Sequence, residues 1–160
     1  MSNEYKDWTE DLKNSPIGSE DHKRWLLMEY PWLNMSESEA IYYLDNTDEV
    51  YTYIDCAPEG WAKLCEDLCA ELKAFLDRNT IKDYSICQVK EKYGELRWYD
   101  NGVPEEHLDE YRAIIRKYTE LSYNTCVDCG APATKVSRGY ILPFCDKCAE
   151  KVGGKFEDIT

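Results

Sequence analysis

The stretch that decides the C-terminal architecture is TCVDCGAPATKVSRGYILPFCDKCA, residues Thr125–Ala149. It holds two Cys-x-x-Cys pairs, Cys126 with Cys129 and Cys145 with Cys148, separated by the fifteen residues 130–144. A Cys-x-x-Cys turn places two sulfurs within reach of one ion, and tetrahedral zinc takes four thiolates at about 2.3 Å each. The spacing therefore predicts one structural Zn2+ held by Cys126, Cys129, Cys145 and Cys148. With four protein thiolates no position is left for water, so the ion is expected to hold the fold and not to catalyse. Gly130 lets the chain turn sharply after the first pair. Thr134 to Val136 and Tyr140 to Pro143 read as a hairpin around Ser137-Arg138-Gly139, and the second pair opens a short helix over Asp146 to Val152. Knuckle, hairpin and helix follow one another in treble-clef order. Disulfides or redox-active pairs are the competing reading of the same four cysteines. A treble-clef nuclease would need a histidine base, and no histidine follows His107.

Upstream of the pairs, Pro104 to about Tyr123 reads as a helix, with Tyr111, Ile114, Ile115, Tyr118 and Leu121 facing inward. Before it, Tyr84 to Lys92 and Glu95 to Asp100 alternate with period two and flank Tyr93-Gly94, a hairpin signature. Cys87, Val89, Leu96 and Trp98 are assigned to its apolar side. The other side would carry Gln88, Lys90, Lys92, Arg97 and Tyr99, a local basic patch suited to phosphate or an acidic partner, or a plain solvated sheet face. Earlier still, Pro58-Glu59-Gly60 introduces the clearest helix, about Gly60 to Arg78. Its residues Trp61, Leu64, Leu68, Leu72, Phe75 and Leu76 form one stripe at the helical period.

The first fifty residues are less regular. Residues 1–18 are polar and are read as a loose arm. Ser19 can cap a helix from about Glu20 to Tyr30, which Pro31 ends. Ser36-Glu37-Ser38-Glu39 is a capping box for a short helix to about Leu44. Asp45-Asn46-Thr47-Asp48 reads as a turn and Val50 to Ile54 as a short strand. The expected fold is α+β: helices with a small antiparallel sheet and a C-terminal treble-clef-like zinc module. Its segments are an arm at 1–18, an α+β body at 19–124, a four-cysteine module at 125–153 packed on the body, and a tail at 154–160.

Charge narrows the functional classes. The net charge is −13, which disfavours nucleic acid and anionic membranes as partners. The excess is concentrated in residues 1–50, with 4 basic and 12 acidic side chains, while residues 126–160 balance at 5 and 5. A carboxylate-dense first half could imitate DNA, although charge runs more often serve solubility. The start, MSNEYKDWTEDLK, lacks the apolar core of a secretory signal, and no run approaches the roughly 20 apolar residues that span a bilayer. A cytoplasmic protein is expected, whose eight cysteines stay reduced and favour metal over disulfides. Cys56, Cys65, Cys69 and Cys87 could form a second metal site, but buried cysteine is ordinarily a small hydrophobe. His22 and His107 lie among charged helical residues and read as surface side chains. No phosphate loop, zinc-protease helix or nucleophile elbow is present.

Two stretches also carry a resemblance. VKEKYGELRWYDNG, Val89 to Gly102, followed by a helix and the two cysteine pairs, resembles a group of small uncharacterised proteins encoded by tailed bacteriophages and prophages. Those proteins carry a VKEKxGxLRxY hairpin before a CxxCG…CxxC module. PEGWAKLCEDLCAEL, Pro58 to Leu72, is similar to their central helix. The resemblance covers about residues 55–150. It implies a phage accessory protein that acts in the bacterial cytosol by binding a host or defence protein, and it brings no enzymatic activity with it. The leading expectation is thus a non-enzymatic binding protein. The alternative is a nucleic-acid-associated regulator using the zinc module and the Lys90, Lys92 and Arg97 face.

Overall fold

The computed structural model describes residues 2–44 and 50–159, with side chains from residue 8 onward. The turn expected at Asp45-Asn46-Thr47-Asp48 lies outside the described residues. The chain divides into two compact units, Met1–Cys56 and Ala57–Thr160. The boundaries expected from the sequence at residues 18, 124 and 153 do not coincide with this division. The architecture is mixed, of helices and small antiparallel sheets, as the periodicities implied.

In the first unit, α1 spans Ser2–Lys13, so the expected loose arm is in large part a helix. Its Glu, Lys and Leu residues favour helix, and Leu12 supplies a buried anchor. Helix α2, Glu20–Glu29, packs against α1 and is capped by Ser19, whose Oγ accepts from the His22 N–H at 3.2 Å. His22 is buried, contrary to the surface reading. Its Nδ1 lies 2.9 Å from the Lys13 carbonyl, and its ring meets Trp25 at 5.4 Å. The reading failed because the carbonyl that satisfies His22 comes from the unforeseen helix α1.

Pro31 ends α2 and opens a 3-10 turn, Pro31–Leu33. Helix α3, Glu37–Leu44, begins with both halves of the capping box formed. Glu39 N–H donates to Ser36 Oγ at 3.1 Å, and Ser36 N–H donates to Glu39 Oε1 at 3.3 Å. The expected strand at Val50 to Ile54 is absent, and Tyr53–Cys56 is a 3-10 turn. Thr52 N–H donates to Asp55 Oδ2 at 2.8 Å and Ile54 N–H to Thr52 Oγ1 at 3.1 Å. These local side-chain bonds take up backbone groups that a sheet ladder would need.

In the second unit, a 3-10 turn at Glu59–Trp61 leads into α4, Ala62–Arg78, which buries Leu64, Leu68, Leu72, Phe75 and Leu76. Helix α5, Leu108–Tyr123, packs on α4. Arg78 pairs with Glu110 and Glu71 with Lys117, so the two helices run antiparallel. The buried stripe of α5 is Tyr111, Ile114, Tyr118 and Ser122, while Leu121, expected inside, is 46% exposed. Ser122 takes the inner place because its hydroxyl accepts from the Leu96 N–H at 2.8 Å, and Thr119 donates to the Leu96 carbonyl at 3.3 Å. Two hydroxyls on α5 thereby satisfy an edge of the hairpin that would otherwise stay unpaired.

That hairpin pairs β1, Ser85–Lys92, with β2, Glu95–Asn101. Tyr93 and Gly94 have φ of +55° and +81°, the tight-turn geometry whose twist suits two antiparallel strands. A bulge between Ile86 and Gln88 shifts the register. Ile86 therefore joins Val89 on the buried side and Cys87 is exposed, which corrects the face assigned to Cys87. Beneath the hairpin lies a polar knot. Trp98 Nε1 donates to Tyr84 Oη at 2.8 Å, and Tyr111 donates to Asp100, which also bonds Tyr84. Burial holds the Asp100 carboxyl above its ordinary range although both tyrosines oppose the rise. Tyr84→Phe strands the Trp98 donor and is expected to destabilise the unit by about 1–3 kcal/mol. A urea titration following tryptophan emission reads the loss.

Candidate metal centre

The site is assembled from two short backbone devices. The first is a knuckle at Cys126–Gly130, closed by Gly130 N–H to the Cys126 carbonyl at 3.1 Å and by Cys126 N–H to the Ala131 carbonyl at 2.8 Å. Gly130 has φ of +81°, so the sharp turn read from the sequence is present. The second device is the start of α6, Asp146–Val152, where Cys145 is the N-cap residue and its sulfur accepts from the Cys148 N–H at 3.4 Å. Between them run β3, Lys135–Ser137, and β4, Pro143–Phe144, paired antiparallel. The expected tail contributes β5, Phe156–Asp158, on the other edge of β3. No apolar alternation marks this strand in the sequence. The backbone of β3 pairs with Phe156–Asp158, and Phe156 meets Phe144 at 5.7 Å.

These devices bring Sγ of Cys126, Cys129, Cys145 and Cys148 within 4.8 Å of one another. The Cys129 and Cys145 sulfurs are 3.6 Å apart. Four sulfurs about 2.3 Å from a tetrahedral ion would sit about 3.8 Å apart, whereas a disulfide needs about 2.05 Å. The separation therefore fits a shared metal, and the cysteines are free thiols. Cys126 is buried and Cys129 is exposed. Burial would raise the Cys126 thiol, but N–H groups of Cys129, Cys145 and Asp128 outweigh it and bring the pKa down to about 7. Cys148 is pushed up, foremost by the Cys145 sulfur. Four crowded thiols cannot all ionise unless a cation neutralises them, and all-thiolate coordination is the donor set of zinc. The cluster could hold a metal ion, and every one of its ligands was legible from spacing alone.

The remaining cysteines do not gather. Among the described residues the four C-terminal cysteines are the one group placed to share an ion. Cys65 and Cys69 are fully buried on the inner stripe of α4, and burial raises the Cys65 thiol to about 12. They pack as small hydrophobes.

The second sequence-derived surface is also gathered on one face. In the hairpin register Gln88 stands opposite Tyr99, Lys90 opposite Arg97, and Lys92 opposite Glu95. Arg97 pairs with Glu95 at 3.3 Å, so part of the positive charge is spent within the sheet. Lys92 lies over the Tyr93 ring at 5.6 Å, and Tyr93 and Tyr99 are 65% and 44% exposed.

Two residues beside the metal centre were missed. Pro58-Glu59-Gly60 was read as the introduction to a helix. In the structure Gly60 N–H donates to the Val127 carbonyl at 2.8 Å, and Trp61 Nε1 donates to the Thr125 carbonyl at 2.9 Å. The only sequence signal for this was the Gly-Trp pair itself, which carries no information about a contact more than sixty residues away.

No protein-family model matches the chain, nor does any curated protein or any solved structure. Among the described residues no helix is long and apolar enough to cross a membrane.

Proposed function

We propose that this is a non-enzymatic, zinc-stabilised phage accessory protein that binds and modulates a bacterial host or defence protein in the cytosol. The observation that carries the reading is the cluster of four sulfurs. An ion held by four protein thiolates has no vacancy for a substrate or an activated water, so its work is to fix the shape of a surface. A treble-clef-like description of the module is supported by the order of knuckle, strands and cysteine-bearing helix. The phage context rests on the resemblance of Val89 to Gly102 and Thr125 to Ala149 to phage and prophage proteins.

The face with Gln88, Lys90, Lys92, Arg97 and Tyr99 is the contact surface we favour. It offers cations flanked by exposed tyrosines, and tyrosine contributes large contact area at small entropic cost. The exposed carboxylates of Glu10, Asp11, Glu20, Asp21 and Glu37 offer a second surface, suited to a host protein that ordinarily binds DNA. A tagged pull-down from bacterial lysate, read by mass spectrometry, tests the proposal. One stoichiometric host protein, lost on Lys90→Glu with Arg97→Glu, is the expected result. Recovery of nucleic acid alone would overturn it.

One observation favours the alternative, a nucleic-acid-associated regulator: Lys90, Lys92 and Arg97 share one strand face with Tyr99, on which Lys92 and Tyr99 are exposed and Lys90 and Arg97 half-buried. Three phosphate contacts would give log affinity a slope of about −2 to −3 against log salt. Absence of DNA or RNA binding in low salt eliminates this alternative.

A further inference from the structure

Helix α4 is the central helix of the second unit, yet its start has no side-chain cap. The 3-10 turn before it has none either. Its opening residues are tied to the first metal knuckle. Gly60 N–H donates to Val127, the residue after ligand Cys126, and Trp61 Nε1 donates to Thr125, the residue before it. The approach is close on both sides. A Cβ on Gly60 would lie 2.2 Å from the Cys126 carbonyl, and a Cβ on Gly130 would lie 2.8 Å from the Gly60 carbonyl. Trp61 is itself fully buried, and Cys65, one turn further along α4, is buried too.

We propose that metal occupancy is transmitted to the start of α4 through the Gly60–Val127 and Trp61–Thr125 hydrogen bonds, so that release of the ion frees the first turn of α4 and unmasks the Cys65 thiol. The inference rests on the reading of the four cysteines as a metal site. The knuckle does what a capping side chain does elsewhere: it satisfies a donor at the helix entrance. It can do so only while its own backbone is fixed, and in a segment with so few buried side chains the ion is what fixes it. A conformational device follows in which loss of metal by chelation is felt in the core helix and not only among the ligands. The coupling is reciprocal, so loosening the start of α4 must weaken metal binding by the same factor.

The experiment uses the full chain. Bound metal is first measured by elemental analysis, and amide exchange and iodoacetamide labelling are then compared before and after chelation. After chelation, amides 60–66 are expected to exchange at least tenfold faster and Cys65 to become alkylated, while residues 70–78 stay protected. Unchanged protection at 60–66 beside faster exchange at 126–148 would overturn the transmission and leave the metal site standing. Equal loss along all of α4 would also overturn it, because that is unfolding of the whole helix. Protein purified without any metal would overturn the metal reading itself, before the chelation arm begins. Trp61→Phe removes one of the two bonds and should lower metal affinity about tenfold in a chelator competition. Unchanged affinity in the folded variant would argue against this route, and the wild-type exchange measurement stands whether or not the variant folds.

Discussion

Cys126→Ser is expected to abolish stoichiometric zinc binding and to unfold the segment around residues 125–159. The reason is the scale of the energies in that segment. Its sheet consists of strands of three, two and three residues, and its buried side chains include little more than Val127, Pro143, Phe144 and Ala149. Structural zinc in small modules contributes roughly 10–16 kcal/mol of apparent binding free energy coupled to folding. Whole domains are stable by only about 5–15 kcal/mol, so no reserve elsewhere compensates for the loss. Cys126 is the ligand to remove because it is fully buried and because its own amide and carbonyl close the knuckle. Serine offers a poorer ligand in nearly the same volume. Elemental analysis together with limited proteolysis reads the outcome: the wild-type chain should hold one zinc and resist cleavage, and the variant should do neither. Cys87→Ser is the control, since that thiol is exposed on a bulge and should change stability by no more than about 0.5 kcal/mol. A Cys126→Ser protein that keeps its metal, or a wild-type metal carrying an exchangeable water, would remove the argument for a purely structural ion.

The parts of the fold that were legible from sequence are those in which one local rule decides the outcome. The stripe from Leu64 to Leu76 has the helical period and became the buried face of α4. Ser36 and Glu39 satisfy one another across a single turn, so their capping box needed no distant information. The four cysteines that could share an ion belong to the same class. Two sulfurs three residues apart on a tight turn converge on one point, and repeating the device brings four sulfurs together.

What was illegible depends on partners remote in sequence. Cys87 alternates correctly for the buried side of β1, but the bulge before Gln88 turns it outward. Leu121 is the more apolar of two neighbours, yet Ser122 faces inward because Leu96 in β2 needs an acceptor. His22 is buried because α1 brings a carbonyl to it, and the i, i+3, i+7 spacing of Tyr5, Trp8 and Leu12 that marks α1 is a sparse signal in a stretch dominated by polar residues. Val50 to Ile54 has the composition of a strand, but Thr52 and Asp55 bond locally and the run has no partner strand among the described residues. The hydrophobic pattern locates surfaces to be buried, whereas these polar exchanges decide which register and which end of an element wins.

The strongest case of such remote control is Gly60, and Gly60→Ala is expected to damage both stability and metal binding. Read from the sequence, Gly60 is simply the first residue of a helix, and its backbone is not in the left-handed region where glycine is required. Its constraint is space. An added Cβ would lie 2.2 Å from the Cys126 carbonyl oxygen and 2.6 and 2.7 Å from the Val127 carbonyl carbon and oxygen. Each of these is a backbone atom, so no flexible side chain can swing aside. Either the 58–61 turn withdraws, breaking the Gly60–Val127 hydrogen bond, or the knuckle moves and carries ligand Cys126 with it. The expected cost is about 4 kcal/mol or more, at the extreme of single substitutions, with a parallel fall in zinc affinity. Gly139→Ala is the informative comparison. That residue lies in the same segment with nothing within 4 Å of the added Cβ, but its φ is +87°. It should cost about 1–2 kcal/mol in backbone strain and leave zinc affinity unchanged. Denaturant unfolding gives the stabilities and a chromophoric chelator gives the affinities. If both variants lost stability equally while neither weakened metal binding, the close contact between the helix entrance and the knuckle would have no energetic consequence for the ion.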